Sequence, residues 1–257
     1  MNNKILNFGY FTIKTSEFLE KQKIAGKVLS QAFVEMEKHI QPGISTLTLS
    51  KIAEEYILDN NCIPTFKGYK GFPETVCASI NKQLVHGIPK NDVFLNDGDV
   101  LKLDAGAQLD GVIADMARTY SVGNVSSKYV ELICCCKLAL LNAIKTIKKG
   151  STLGDVGYAI KKTALTQNVS VITSYGGHSV TYNNPHDFPF INNVGNPGND
   201  LLIRENQTYC IEPMFVYGDS TTTVLDDKWT VVLKDIGVHF EDTIFVKDNF
   251  EVDIITK

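Results

Sequence analysis

Val100-Leu101-Lys102-Leu103-Asp104-Ala105-Gly106-Ala107-Gln108-Leu109-Asp110-Gly111-Val112-Ile113-Ala114-Asp115-Met116-Ala117 is the stretch on which the fold turns. Val100 to Gln108 and Val112 to Val122 read as strands, and Asp110-Gly111 between them carries the turn signal of a hairpin. A hairpin brings Asp104 and Asp115 onto neighbouring strands. An acidic residue inside an apolar strand is costly unless it is paired, hydrogen-bonded or bound to a metal. Taken singly, each aspartate is read first as a hydrogen-bonded strand-end or turn residue.

Working outward, Ser16 to Ile40 reads as a helix. Ser16 stands at its N-cap, Glu17 in its first turn and Gln41-Pro42-Gly43 at its end. A second helix fits Leu47 to Asn60, and a strand fits Glu74 to Asn81. The pattern then restarts. Ser127 to Lys149 and Leu153 to Gln167 read as helices around Gly150, followed by strands near Thr208 to Val216, Trp229 to Leu233 and Ile236 to Val246. Gly43-Ile44-Ser45-Thr46-Leu47 and Gly150-Ser151-Thr152-Leu153 are locally alike. This weak repeat suggests one α+β domain spanning residues 1–257, built of two related halves with a site between them.

The chain has 257 residues, enough to bury a substantial core, with 25 Lys+Arg against 29 Asp+Glu. That mild acidity gives no reason to expect a nucleic-acid surface, and DNA is not an expected partner. No run of about 18 apolar residues is present, so no membrane helix is expected. Met1 to Tyr10 is polar and lacks a signal peptide's apolar region, so a cytoplasmic location is the expectation. The cysteines Cys62, Cys77, Cys134, Cys135, Cys136 and Cys210 include three in a row and no CxxC pair. That is a poor disulfide framework and reads as reduced thiols.

Further polar residues stand in surroundings that invite chemistry. His178 follows Gly176-Gly177, and paired glycines let the backbone approach another element closely. His186 lies eight residues on, in a polar stretch that reads as loop. Glu212 and Glu241 are embedded in strand-forming apolar segments, where the plain alternative is a solvent-facing position on the pleat. Two aspartates, two glutamates and a histidine form an oxygen-rich set with one nitrogen. Such a set suits a pair of divalent cations such as Mn, Fe, Co or Zn bridged by carboxylates.

Several segments together resemble a known family. Gly68-Tyr69-Lys70-Gly71-Phe72-Pro73-Glu74-Thr75-Val76-Cys77-Ala78-Ser79-Ile80-Asn81, with His86-Gly87-Ile88-Pro89, is similar to the substrate-pocket signature of type I methionine aminopeptidases. Leu103-Asp104-Ala105-Gly106, Ala114-Asp115-Met116, Gly176-Gly177-His178, Ile211-Glu212-Pro213-Met214 and Phe240-Glu241-Asp242-Thr243 resemble its ligand segments, in the family's order. The resemblance runs over roughly residues 10 to 250.

It implies the pita-bread fold, two related α+β halves around a dinuclear metal site. It also implies removal of the initiator methionine from new polypeptides, with a small second residue preferred. Asp104, Asp115, His178, Glu212 and Glu241 would hold two divalent ions (Co, Mn, Fe or Zn), and Glu212 would serve as general base. His86 and His186 would act near the scissile bond and the substrate carbonyl. Tyr69, Phe72, Cys77 and Trp229 would line the methionine pocket. The implied partners are nascent N-termini, at the ribosome or free of it, and the implied state is a monomer.

The chain departs from the family pattern at named places. Lys70 stands where many bacterial relatives have histidine. The stretch from His178 to His186 is one residue longer, and Pro185 replaces an expected aromatic. Ser179-Val180-Thr181-Tyr182-Asn183-Asn184 lacks the usual glycines. Rival expectations are a proline-directed peptidase or a creatinase-like hydrolase on the same fold, and an inactive binding module. The first two generally carry an N-terminal domain ahead of the Gly68 motif, for which too little chain is present. The third would have lost ligands that are all present here.

Overall fold

The computed structural model describes residues 14–257 and the backbone at 7–8 and 11–12. Met1 to Tyr10, read as polar and leaderless, lies largely outside the described residues. The hairpin forms as expected, with Val100–Leu109 against Val112–Ser121 in unbroken register from Val100↔Ser121 to Leu109↔Val112. Its turn residues, Asp110 and Gly111, both have positive φ (50° and 81°). That is the backbone a tight hairpin with right-handed twist requires. Pleating then sorts the side chains. Leu101, Leu103, Ala105, Ala107, Ala114 and Met116 pack into a core with helix residues, so Asp104 and Asp115 project from the opposite face.

Nine antiparallel strands make the central sheet. Its order is Asn184–Ile191, Gly177–Thr181, Gln207–Ile211, Glu241–Val246, Val112–Ser121, Val100–Leu109 and Ile63–Pro64. Val252–Ile254 adds to Glu241–Val246, and Val76–Ile80 adds to Val100–Leu109. Helices α1 (Ser16–Glu37) and α2 (Thr46–Asp59) pack with the first hairpin through Ala25, Leu29, Phe33, Leu49, Ala53 and Ile57. Helices α3 (Ser127–Lys145) and α4 (Leu153–Thr166) cover Tyr209, Ile211, Phe215, Ile244 and Val246 through Leu132, Cys136, Val156 and Ile160. Each half thus contributes one helix pair, and the helices shield one face while the other encloses the site. Buried Gln22 of α1 joins strands of both halves: its amide donates to the Ile113 carbonyl, and its oxygen accepts from the Thr208 hydroxyl.

Several element boundaries differ from expectation. The N-cap of α1 is Thr15, whose side chain accepts from the Phe18 N–H at 3.2 Å, and Ser16 is the first helical residue. Helix α3 stops at Lys145 rather than Lys149. The expected strand Thr208 to Val216 is two, Gln207–Ile211 and Met214–Val216, because Pro213 supplies no N–H for a ladder. Ile236 to Val246 likewise splits at Phe240 into Gly237–His239 and Glu241–Val246. His178 and His186 are not on loops. They sit on the strands Gly177–Thr181 and Asn184–Ile191, an irregular hairpin with two register shifts.

Candidate active site

Strand register assembles the site in rows. Cys77 pairs with Asp104, Asp104 with Ala117, and Ala117 with Glu241, so these four form one row across four strands. In the next row Gly106 faces Asp115, and Cys210 lies between Thr243 and His178. The Thr243 hydroxyl accepts from the Asp115 N–H at 2.8 Å and donates to its carbonyl at 2.7 Å, tying the two strands where Asp115 sits. Ala117 puts only a methyl group between Asp104 and Glu241, whereas at Gly106 a Cβ would run into the Thr65 side chain 2.8 Å away. Oxygens of Asp104, Asp115 and Glu241 all lie within 4.8 Å of one another.

The nitrogen arrives from the neighbouring strand. His178 Nδ1 is 3.0 Å from the Ser179 carbonyl, which accepts a hydrogen only if Nδ1 carries the proton. That tautomer leaves the Nε2 lone pair free for a ligand. Nε2 stands 3.6 Å from Glu212 Oε1 and 3.8 Å from Glu241 Oε1. All five side chains are buried.

Burial without a compensating cation makes these charges expensive. It pushes the Asp104 carboxyl up to about 7. It drives Asp115, Glu212 and Glu241 well above the ordinary carboxylate range, and neighbouring carboxylates add to the effect at Asp115 and Glu241. Burial also pulls His178 down to about 3 and His86 and His239 to about 4, so these rings are neutral near pH 7. His186 is lowered by burial and by the Lys70 charge. Asp104 Oδ1 and Glu241 Oε1 are buried with no hydrogen-bond partner. Unpartnered carboxylate oxygens beside a free imidazole nitrogen are the donor set a divalent cation satisfies, and the residues present fit such an ion.

These groups lie against a cavity of about 330 Å³. Tyr69, Phe72, Cys77 and Trp229, all expected in the pocket, line it. So do Phe66, Val85, Tyr175, Phe190 and Met214, which the motifs did not single out. Trp229 meets Phe72 edge-on at 5.1 Å between centroids, and His86 stands 5.8 Å from Tyr175. His186 lies at the rim with Nδ1 3.2 Å from the Tyr69 hydroxyl and its ring 4.7 Å from that of His178. Four of the chain's five histidines therefore line one cleft, counting His239, which sequence reasoning passed over. A signal for it existed: His239 and Glu241 flank Phe240, which packs toward α3 and α4, so period-two alternation turns both toward the site. Pro185 is buried and does not line the cleft, whereas Phe190, of the same strand parity as His186, does.

Comparison with known proteins bears on the family and the fold. The model of metallopeptidase family M24 matches residues 20–248. The chain belongs to metallopeptidase family M24, among the methionine aminopeptidases. A Mycoplasma capricolum methionine aminopeptidase is 41% identical over 245 residues, covering 94% of this chain and 97% of that protein. The methionine aminopeptidase structure from Thermotoga maritima superposes with TM-score 0.92 at 37% identity, over 95% of this chain and 98% of that one. The one from Rickettsia prowazekii gives 0.91 at 34%, over 96% and 99%. The expected pita-bread fold is borne out. As an M24 member the chain is a metal-dependent peptidase.

Proposed function

We propose that this chain removes the N-terminal methionine from polypeptides with a small second residue. The observation that carries the reading is the junction of two surfaces. A buried cluster of four carboxylates and His178 stands at one side of a cavity walled by Phe66, Phe72, Cys77, Met214 and Trp229. An aromatic and sulfur-lined cavity suits a flexible, polarizable thioether. The carboxylates beside it suit cations, including a substrate's free α-ammonium.

We assign Asp104, Asp115, His178, Glu212 and Glu241 as the residues that hold two divalent ions. Bound ions of this kind supply a water acidic enough to ionise near neutral pH and polarise the scissile carbonyl. Glu212 takes the proton of the attacking water and passes it to the leaving amine. His86 and His186, neutral near pH 7, donate N–H groups to the developing oxyanion and the departing amide. Tyr69 holds His186 in place through its hydroxyl. Tyr69, Phe72, Cys77 and Trp229 hold the methionine side chain and so fix which bond meets Glu212. The single domain over residues 1–257, monomeric state, cytoplasmic location and action on chains emerging from the ribosome belong to the same proposal.

The test is a chelator-stripped sample reloaded with Mn or Co and given equimolar Met-Ala-Ser, Met-Leu-Ser, Leu-Ala-Ser and Ala-Pro-Ser. The expected result is metal-dependent loss of methionine from Met-Ala-Ser alone. Cleavage of Ala-Pro-Ser instead would move the chain to proline-directed chemistry. Absence of both hydrolysis and retained metal would favour a binding module.

A further inference from the structure

His239 is the one cleft histidine with no role in the scheme above. Its burial is nearly complete, at 1% exposure. The Thr119 hydroxyl fixes its backbone on both sides, accepting from the His239 N–H at 3.0 Å and donating to its carbonyl at 2.6 Å. The ring is thereby held in the cleft wall, and its Nε2 stands 3.3 Å from Glu212 Oε2. Neither ring nitrogen has an aligned hydrogen-bond partner among the described residues. Glu212 is therefore bracketed by two imidazoles, His178 on the Oε1 side and His239 on the Oε2 side. The two contacts differ in kind. His178 has its proton committed to the Ser179 carbonyl, so its Nε2 lone pair and Glu212 Oε1 face one another as two acceptors, a gap that suits a cation. His239 has no such commitment and is free to carry its proton on Nε2.

We propose that His239 is a positioning residue for Glu212: its Nε2–H donates to Oε2 and turns Oε1 toward His178 and Glu241. The role rests on the reading of Glu212 as metal ligand and base. A neutral donor at Oε2 holds the carboxylate in one rotamer and leaves a single oxygen for the ion and the water proton. A freely turning carboxylate would divide its time between productive and unproductive orientations. Partners that orient a ligand in this way are typically worth about 10–100-fold in metal affinity or activity.

The test compares the wild type with His239→Leu, which removes the donor, and His239→Gln, which restores an N–H at similar reach. Each is stripped and titrated with Co(II), with binding followed by calorimetry and the cobalt visible spectrum, alongside kcat and KM on Met-Ala-Ser. For His239→Leu the expected outcome is about 10–100-fold weaker Co(II) binding, an altered spectrum and a fall in kcat with KM little changed. For His239→Gln, spectrum and kcat should largely recover. Should His239→Leu fail to fold, His239→Asn, polar but too short to reach Oε2, serves in its place. Unchanged affinity, spectrum and kcat in the donor-less variant would overturn the proposal. So would a His239→Gln protein as defective as His239→Leu with a spectrum that has lost a nitrogen ligand, since His239 would then bind the ion itself. A wild-type chain that takes up no Co(II) would instead sink the metal reading of the site, and the positioning role with it.

Discussion

Asp104 and Glu241 stand two strands apart in one row of the sheet, with only Ala117 between them, and their carboxylate oxygens approach within 4.8 Å. The gap over Ala117 is thus the floor of the proposed metal site. Ala117→Val keeps a strand-compatible residue but puts two methyl groups into that gap. Overpacking of this kind costs about 1–3 kcal/mol. Spent on ion binding, that is roughly 10–100-fold in affinity. Calorimetric titration with Mn should show weakened binding in a protein whose far-UV spectrum is unchanged. Wild-type affinity in Ala117→Val would show that the ions do not sit over this row.

Metal removal should make stability depend on pH in a defined sense. The folded carboxyls of Asp104 (about 7), Asp115, Glu212 and Glu241 hold protons well above the ordinary 3.8 for Asp and 4.5 for Glu. From about pH 4.5 upward they therefore make the folded chain bind more protons than the unfolded one, and stability falls as pH rises. The cleft histidines act oppositely. Depressed in the folded state, they shed protons that the unfolded chain keeps up to about its ordinary 6.5, so they add stability as pH rises toward that value. The two effects offset one another below about pH 6.5, and above it the carboxylates remain. They are opposed there by the ammoniums of Lys14, lowered by burial to about 8, and Lys102, lowered well below its ordinary value, which shed protons in the folded chain first. Measured against Mn-loaded protein, which shares both lysines, the unfolding free energy of chelator-stripped protein should fall between about pH 6.5 and 8, by about 1.4 kcal/mol per pH unit for each excess carboxyl proton. Mn-loaded protein should lack the carboxyl contribution, so the two Tm curves should diverge as pH rises. Stripped and loaded Tm curves that run parallel over this interval would contradict the burial argument.

Gly177 has a steric reason to be glycine. A Cβ there would run into the Cys210 carbonyl oxygen on the neighbouring strand. Backbone cannot yield as a side-chain tip can, so Gly177→Ala must push the Gly177–Thr181 strand outward and carry His178 with it. Expected together are a fall in stability on the order of 2 kcal/mol and weaker metal uptake. Scanning calorimetry and metal analysis of one preparation would check both. An unchanged Tm would show that the strand moves at little cost.

Trp229 makes the edge of the cavity, 5.1 Å from Phe72 and 6.3 Å from His86. Trp229→Ala widens the methionine pocket without touching a carboxylate. On Met-Ala-Ser, kcat/KM should fall about 10–100-fold, mostly through KM, and the preference over Leu-Ala-Ser should shrink. A loss confined to kcat would instead place Trp229 in orienting His86.

The first hairpin was legible because two independent signals coincide there: strand-like apolar segments on either side and the Asp110-Gly111 turn between them. Parity and register alone then put Asp104 and Asp115 on one face. The hairpin of His178 and His186 was not legible. Gly176-Gly177, Asn183-Asn184 and Pro185 carry loop chemistry, and the strand pairing there shifts register twice. Its strand character is tertiary, imposed by Cys210 opposite His178. Phe66 and Met214 reach the cavity from separate segments, and no local pattern brings them together. His239 could have been read from its alternation with Glu241 through Phe240.

Arg118 secures the strand that bears Glu241. Its guanidinium donates to the carbonyls of Ala117 and Glu241 through Nη1, and to the Asp242 carboxylate at 2.6 Å and the Thr256 carbonyl through Nη2. Asp242 also accepts from the Thr256 hydroxyl at 2.8 Å. A planar fork with several fixed donors makes this set of contacts, and a lysine ammonium cannot reproduce it. Arg118→Met leaves Asp242, nearly buried, without its cation, which should cost on the order of 3 kcal/mol. Arg118→Lys should recover only part of that stability. Arg118→Met with Asp242→Asn should be more stable than Arg118→Met alone, because no charge is then left stranded. Urea unfolding of the four proteins in chelator separates this effect from metal binding. A double variant no more stable than Arg118→Met would show that Arg118 acts through the Glu241 carbonyl rather than through Asp242.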